Sequence, residues 1–188
     1  IKRHDLWPSA ASVLSKVLSV GLMMGGMLKD QQALTIKLNG SGPIGNVIVD
    51  ANNKGDIRGY VDMPQVNLIR NDGGFADAQT LGTTGHLDVI KDLKLKDLFT
   101  SSIELTGDIA HDFTHYFYKS EQTPSAVLLS VVMDPDNLTE VSGGMIIQVM
   151  PKAKDDVTSY VEDKVSEITS LSNLFKNHTQ EELLTLLF

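Results

Sequence analysis

The sequence predicts an α+β fold: two antiparallel β-sheets packed around a buried central helix, with further helices at the C-terminal end. Three stretches carry that expectation. Pro8–Lys29 is apolar around most of a helical circumference. Residues 34–61 contain short alternating segments separated by Gly, Asn and Pro turns. From Asp156 onward, apolar residues recur at helical spacing.

The central helix comes first. Between Ser9 and Leu28 the sole charge is Lys16, and Ser12, Ser15, Lys16 and Ser19 form one narrow polar stripe at i, i+3, i+4 and i+7. A helix apolar on every other side belongs inside a protein. Pro8 suits a first helical turn, where its missing N–H costs nothing. Gly21, Gly25 and Gly26 would each weaken an exposed helix by about 1 kcal/mol, so they are expected where another backbone packs closely. The length approaches that of a membrane span, but the mid-span lysine, the serines and the glycines are too polar for one.

Leu34–Asn39 then alternates apolar and polar residues, as a half-buried strand does. Gly40–Pro43 turns the chain, Asn46–Asp50 reads as a second strand, Asn52–Gly55 as a turn, and Ile57–Val61 as a third strand. Asp62–Thr84 has no clear period and reads as a long surface loop. Leu87–Lys91 and Ile103–Thr106 read as another strand pair. Asp108–Lys119 is helical, with Ile109, Phe113, Tyr116 and Phe117 on one face. Ala126–Met133, nearly all apolar, reads as a central strand, and Asp134–Asn137 as a turn with Pro135 at its second position. Val141–Met150 returns as a strand in which Gly143–Gly144 suggests a bulge. Val157, Tyr160, Val161, Val165, Ile168 and Leu171 mark one amphipathic helix. Thr179 with Glu182 marks the capping box of a last helix, Gln180–Leu187.

Composition narrows function. The 188 residues leave room for a real core. A formal charge of −8 opposes nonspecific binding to nucleic acid or anionic lipid. The absence of cysteine excludes disulfides, thiolate chemistry and Cys-ligated zinc within these residues. The charged opening residues, and the lack of a small-residue cleavage site after the apolar stretch, do not read as a signal peptide.

Candidate chemistry is thin. Gly40–Gly45 matches G-x-G-x-x-G, but a strand follows it rather than the helix that would face a pyrophosphate, so it reads as a turn. His111 and His115 stand at the spacing of two metal ligands on a helix face. They suggest a metal-dependent hydrolase as an alternative, yet Asp112 stands where a metalloprotease would carry Glu, and no third ligand is apparent. His4, His86 and His178 are isolated. Asp50, Asp56 and Asp62 read as turn and solubilising residues, and Met23, Met24 and Met27 as core. An inert oligomerisation scaffold is the remaining alternative.

Six stretches, in order, carry a family resemblance. They are Trp7–Ala11, Met23–Lys29, Gly42–Gly45, Asp50–Val61, Ser120–Ser125 and Gly143–Pro151. Together they resemble the redox-regulated thirty-three-kilodalton bacterial heat-shock chaperone, the oxidation-activated holdase. The resemblance implies a core domain with two sheets around a central helix, over residues 1–188. Residues 151–188 would be its helical, dimer-forming and linker-proximal part. It implies a cytoplasmic homodimer that holds unfolding client proteins without ATP and without catalysis. It also implies a zinc held by four cysteines in a C-terminal domain beyond Phe188, so that this chain itself holds no metal or cofactor and reads as a core piece of a longer protein. The client contacts expected are the apolar end Leu183, Leu184, Leu186, Leu187 and Phe188, where the linker should join, together with Phe117 and Tyr118, aromatic neighbours on opposite sides of a helix. No nucleic-acid or membrane partner is expected.

Overall fold

A computed structural model of the chain describes residues 4–134, 139–150, 152–153, 155–166, 168 and 171–187. Its elements are α1 (Pro8–Gly26), β1 (Ala33–Gly40), β2 (Asn46–Asn52), β3 (Ile57–Val61), α2 (Asp77–Leu81), β4 (Gly85–Asp92), β5 (Phe99–Glu104), α3 (Ile109–Ser120), β6 (Ser125–Met133), β7 (Thr139–Gln148), α4 (Asp155–Ser166), α5 (Leu171–Asn177) and α6 (Gln180–Leu187).

One sheet has five antiparallel strands in the order β3-β2-β1-β4-β5, and the other pairs β6 with β7. Alternation decides which face of the larger sheet is buried. Leu34, Ile36 and Leu38 of β1 turn inward with Val47 and Val49 of β2 and Leu87 and Val89 of β4. All of them belong to one core with Val13, Val17 and Val20 of α1. The helix packs on β1, β2 and β3 on one side and on β6 and β7 on the other. Among the described residues it is the one helix long and apolar enough to cross a membrane, and 67% of that window is buried inside the fold. It is a core helix.

The sequence of α1 explains how it is held. Trp7 at its N-cap supplies no side-chain cap. Residues 64–68 act instead: Ala10 N donates to Val66 O at 3.2 Å, and Leu68 N donates to Ser9 Oγ at 2.8 Å. The first satisfies an amide that a helix start leaves open, and the second ties the Ser9 side chain to the amide of Leu68. The polar stripe finds polar partners. Ser15 Oγ meets Thr139 Oγ1 at 3.3 Å, Ser19 Oγ meets Ser142 Oγ at 2.7 Å, and Lys16 Nζ donates to Asp77 Oδ2 at 2.5 Å. Gly25 is the close backbone approach expected, since a Cβ there would lie 2.7 Å from Asn52 O, whereas a Cβ at Gly21 would meet side chains, Val49 Cγ1 at 2.9 Å. Gly26 is not one: it is exposed and has nothing within 4 Å, since it lies on the solvent side of the helix. Met24 is buried, but Met27 is 48% exposed.

Several other expectations are corrected. Asp62–Thr84 is not simply a surface loop. It holds α2, and Val66, Ala76, Thr80 and Leu81 are buried because the segment closes one end of the core. β6 is not central: its apolar run is explained by α1, α3 and α5 packing on a two-stranded sheet. Gly143 and Gly144 pair in register with Ser130 and Leu129, and the irregularity lies at Val132/Met133. Gly144 is there for space, since a Cβ on it would lie 2.8 Å from Met23 Cε and 2.7 Å from Leu129 Cδ2. The helix from Asp155 stops at Ser166, and Leu171 opens the separate α5. The expected turn at Pro135–Asn137 lies outside the described residues. The capping box of α6 is present: Glu182 N donates to Thr179 Oγ1 and Thr179 N donates to Glu182 Oε2.

Candidate functional site

No catalytic constellation is assembled among the described residues. His111 and His115 share a surface cavity of about 420 Å³ with Thr114, Tyr118, Pro124 and Ser125. Asp112, between them, is 1% exposed, with its Oδ1 3.9 Å from His111 Nδ1. Its carboxylate accepts from Thr106 N at 2.9 Å, Thr106 Oγ1 at 2.7 Å and Gly107 N at 3.3 Å, holding the loop before α3. It is therefore committed to structure and not available as a base or ligand. Among the described residues no group of three or more His, Asp or Glu side chains is placed to hold a metal ion.

The G-x-G-x-x-G stretch is a packed turn. Gly42 N donates to Leu81 O at 2.9 Å, and a Cβ on Gly40 would lie 1.9 Å from that oxygen. The carboxylates of Asp50, Asp56 and Asp62 all serve local bonds, to Thr35 and Arg58, to Asn52, and to Asn46 respectively. The bonds from the Asn46 backbone and side chain hold the Asp62 carboxyl below its ordinary value.

The sequence-predicted contact residues divide by burial. Tyr118 on α3 is 67% exposed and Leu186 on α6 is 58% exposed, so both offer apolar surface. Phe117 does not. It is 2% exposed, with its ring edge-to-face on Tyr116 at 5.5 Å, because its position on α3 faces the core. Leu183 is likewise buried at 6%. The side chains of Leu184 and Leu187, and all of Phe188, lie outside the described residues.

The structure adds apolar surface that periodicity did not point to. Leu95, Leu98 and Phe99 protrude at the β4–β5 hairpin, and Trp7, Met63 and Ile69 are exposed along the start of α1 and the segment after β3. The available signal was the run Leu95-Lys96-Asp97-Leu98-Phe99, apolar residues set in a connection where polar ones are usual.

The fold is a two-sheet body that carries exposed apolar side chains. Comparison with known proteins gives its family. The family profile described as "Hsp33 protein" matches residues 1–188. The "33 kDa chaperonin" of Bacillus licheniformis is 42% identical over 186 residues, covering 97% of this chain and 64% of that protein. The "33 kDa chaperonin" of Staphylococcus aureus strain JH9 is 44% identical over 176 residues, covering 93% of this chain and 60% of that protein. The crystal structure of the 33 kDa chaperonin (heat shock protein 33 homolog) from Thermotoga maritima superposes with a TM-score of 0.92 at 32% identity, over 100% of this chain and 65% of that one. The chain belongs to the Hsp33 family. It spans less than two thirds of the length of these relatives, at 64%, 60% and 65%.

Proposed function

We propose that this chain is the holding core of an ATP-independent chaperone, which binds unfolding proteins through exposed apolar surface and prevents their aggregation under oxidative stress. The observation that carries the reading is its identity of 42% and 44% with proteins named 33 kDa chaperonin. Surface chemistry supports it. Exposed Tyr118, Leu186, Leu95 and Leu98 supply contact, while the charge of −8 keeps the loaded protein soluble. The chain works without catalysis, as a homodimer in the cytoplasm, on clients that are unfolded or partly folded.

The zinc-based redox switch of the family has no fit in these residues. The chain has no cysteine, and its histidines and carboxylates form no group of three among the described residues. Any such switch acts on this core from sequence beyond it. The metal-dependent hydrolase reading on His111 and His115 lacks support, since no third His, Asp or Glu joins them among the described residues.

The test is light scattering of a chemically unfolded client diluted into reducing buffer without ATP, with and without residues 1–188. Suppression at a stoichiometry near a single dimer per client is expected. Unchanged aggregation at several-fold excess of the chain overturns the reading.

A further inference from the structure

We propose that the outer edge of β5 accepts an extended segment of an unfolded polypeptide as an added strand. The inference rests on the chaperone reading above and specifies where the client binds and in what conformation. β5 is the last strand of the five-stranded sheet, paired only with β4. Leu105 N donates to Gly85 O at 3.0 Å, continuing the ladder past the strand. Bonded and non-bonded pairs alternate in an antiparallel ladder, so Ile103 and Ser101 exchange bonds with Leu87 and Val89. The main-chain N–H and C=O groups of Thr100, Ser102 and Glu104 therefore point away from the sheet. Among the described residues, no loop, turn or cap bond reaches residues 99–104.

Folded proteins ordinarily blunt such an edge with lysine, proline, a bulge or a cover. Among the described residues β5 has no lysine, proline or bulge; its one charge, Glu104, stands at its end, and α3 packs on the strand. The opposite edge, β3, carries Arg58 within five residues. Phe99 opens the strand at 47% exposure, and Leu95 and Leu98 precede it in the β4–β5 connection, exposed by 73% and 62%. An added strand would set every second side chain beside the row of Phe99 and Ile103, so the edge selects segments with alternating apolar residues.

The test is fluorescence anisotropy with a labelled ten-residue probe peptide of alternating Val and Thr, on residues 1–188. Ser102→Pro removes an outward donor and leaves the bonds to β4 intact, as proline on an edge position does. It is expected to weaken peptide binding about tenfold, and Ser102→Thr to leave it unchanged. Wild-type chain is expected to lose binding similarly to a peptide N-methylated on the amides of one edge. That arm decides the matter if Ser102→Pro fails to fold. Equal binding of methylated and unmethylated peptides, or by a folded Ser102→Pro chain, overturns the proposal. So does a Ser102→Pro chain that loses self-association in size-exclusion chromatography while the wild type never binds the peptide, which would assign the edge to a second copy. Peptide binding with the expected losses, but no suppression of aggregation, would sustain the edge and sink the holding function instead.

Discussion

Lys16, the one charge of the central helix, donates to Asp77 of α2 at 2.5 Å, with the two side chains only 26% and 14% exposed. The pair fastens the segment between β3 and β4 to the middle of α1. The second oxygen of Asp77, Oδ1, is buried without a hydrogen-bond partner among the described residues, so this carboxylate depends on Lys16 for its compensation. Lys16→Met is therefore expected to destabilise by about 2 kcal/mol, somewhat below the cost of breaking a fully buried pair. Lys16→Met with Asp77→Leu should recover part of that loss. Urea denaturation of both single variants and the double variant checks this, and strictly additive effects would show that the two groups are not coupled.

Glu121 gives the fold a pH dependence. Burial pushes its carboxyl up, but bonds from Lys91 Nζ and Tyr116 OH outweigh that and hold it below the ordinary 4.5. The Tyr116 hydroxyl is pushed upward by burial and by the same carboxylate. A depressed carboxyl stabilises the fold above its unfolded value and loses that contribution as pH falls through the folded one. Thermal melts from pH 6 down to about 3 should thus show wild type losing stability faster than Glu121→Gln. Parallel curves would remove Glu121 from the account.

Two neighbouring glycines should respond with opposite signs. Gly25→Ala drives a methyl to 2.7 Å from Asn52 O, a backbone atom that cannot step aside, and should cost about 1–3 kcal/mol. Gly26→Ala meets nothing within 4 Å. It should stabilise by a few tenths to about 1 kcal/mol through helix propensity. Equal shifts in denaturation midpoint for the two would contradict the packing described here.

Phe117 and Tyr118 are adjacent in sequence and opposite in role. Phe117→Ala should lower stability by about 3–5 kcal/mol, the cost of emptying a packed aromatic site. Tyr118→Ser, with its side chain 67% exposed, should leave the melting temperature nearly unchanged and weaken client holding. Light scattering beside a thermal melt separates the two effects. Tyr118→Ser with full holding capacity would remove that side chain from the contact surface.

The sequence by itself determined the elements whose signal is local. Alternation set the inner face of β1 and β2, circumferential apolarity put α1 in the core, the i, i+3, i+4 spacing chose the buried face of α3, and the Thr179–Glu182 pair marked the start of α6. Each depends on residues within a turn or two of each other, so no knowledge of the fold was needed. Tertiary structure decided the rest. It placed β4 beside β1, gave the apolar β6 three helices to bury against, and drew residues 62–84 into the core through contacts between segments far apart in sequence. It also decided exposure. The sequence offered both Phe117 and Tyr118 as contact residues though helical spacing set them on opposite sides of α3, and the packing of α3 on β5 and β6 buried the Phe117 side. The open edge of β5 was equally illegible, because a strand's unpaired side exists only once the order of the whole sheet is set.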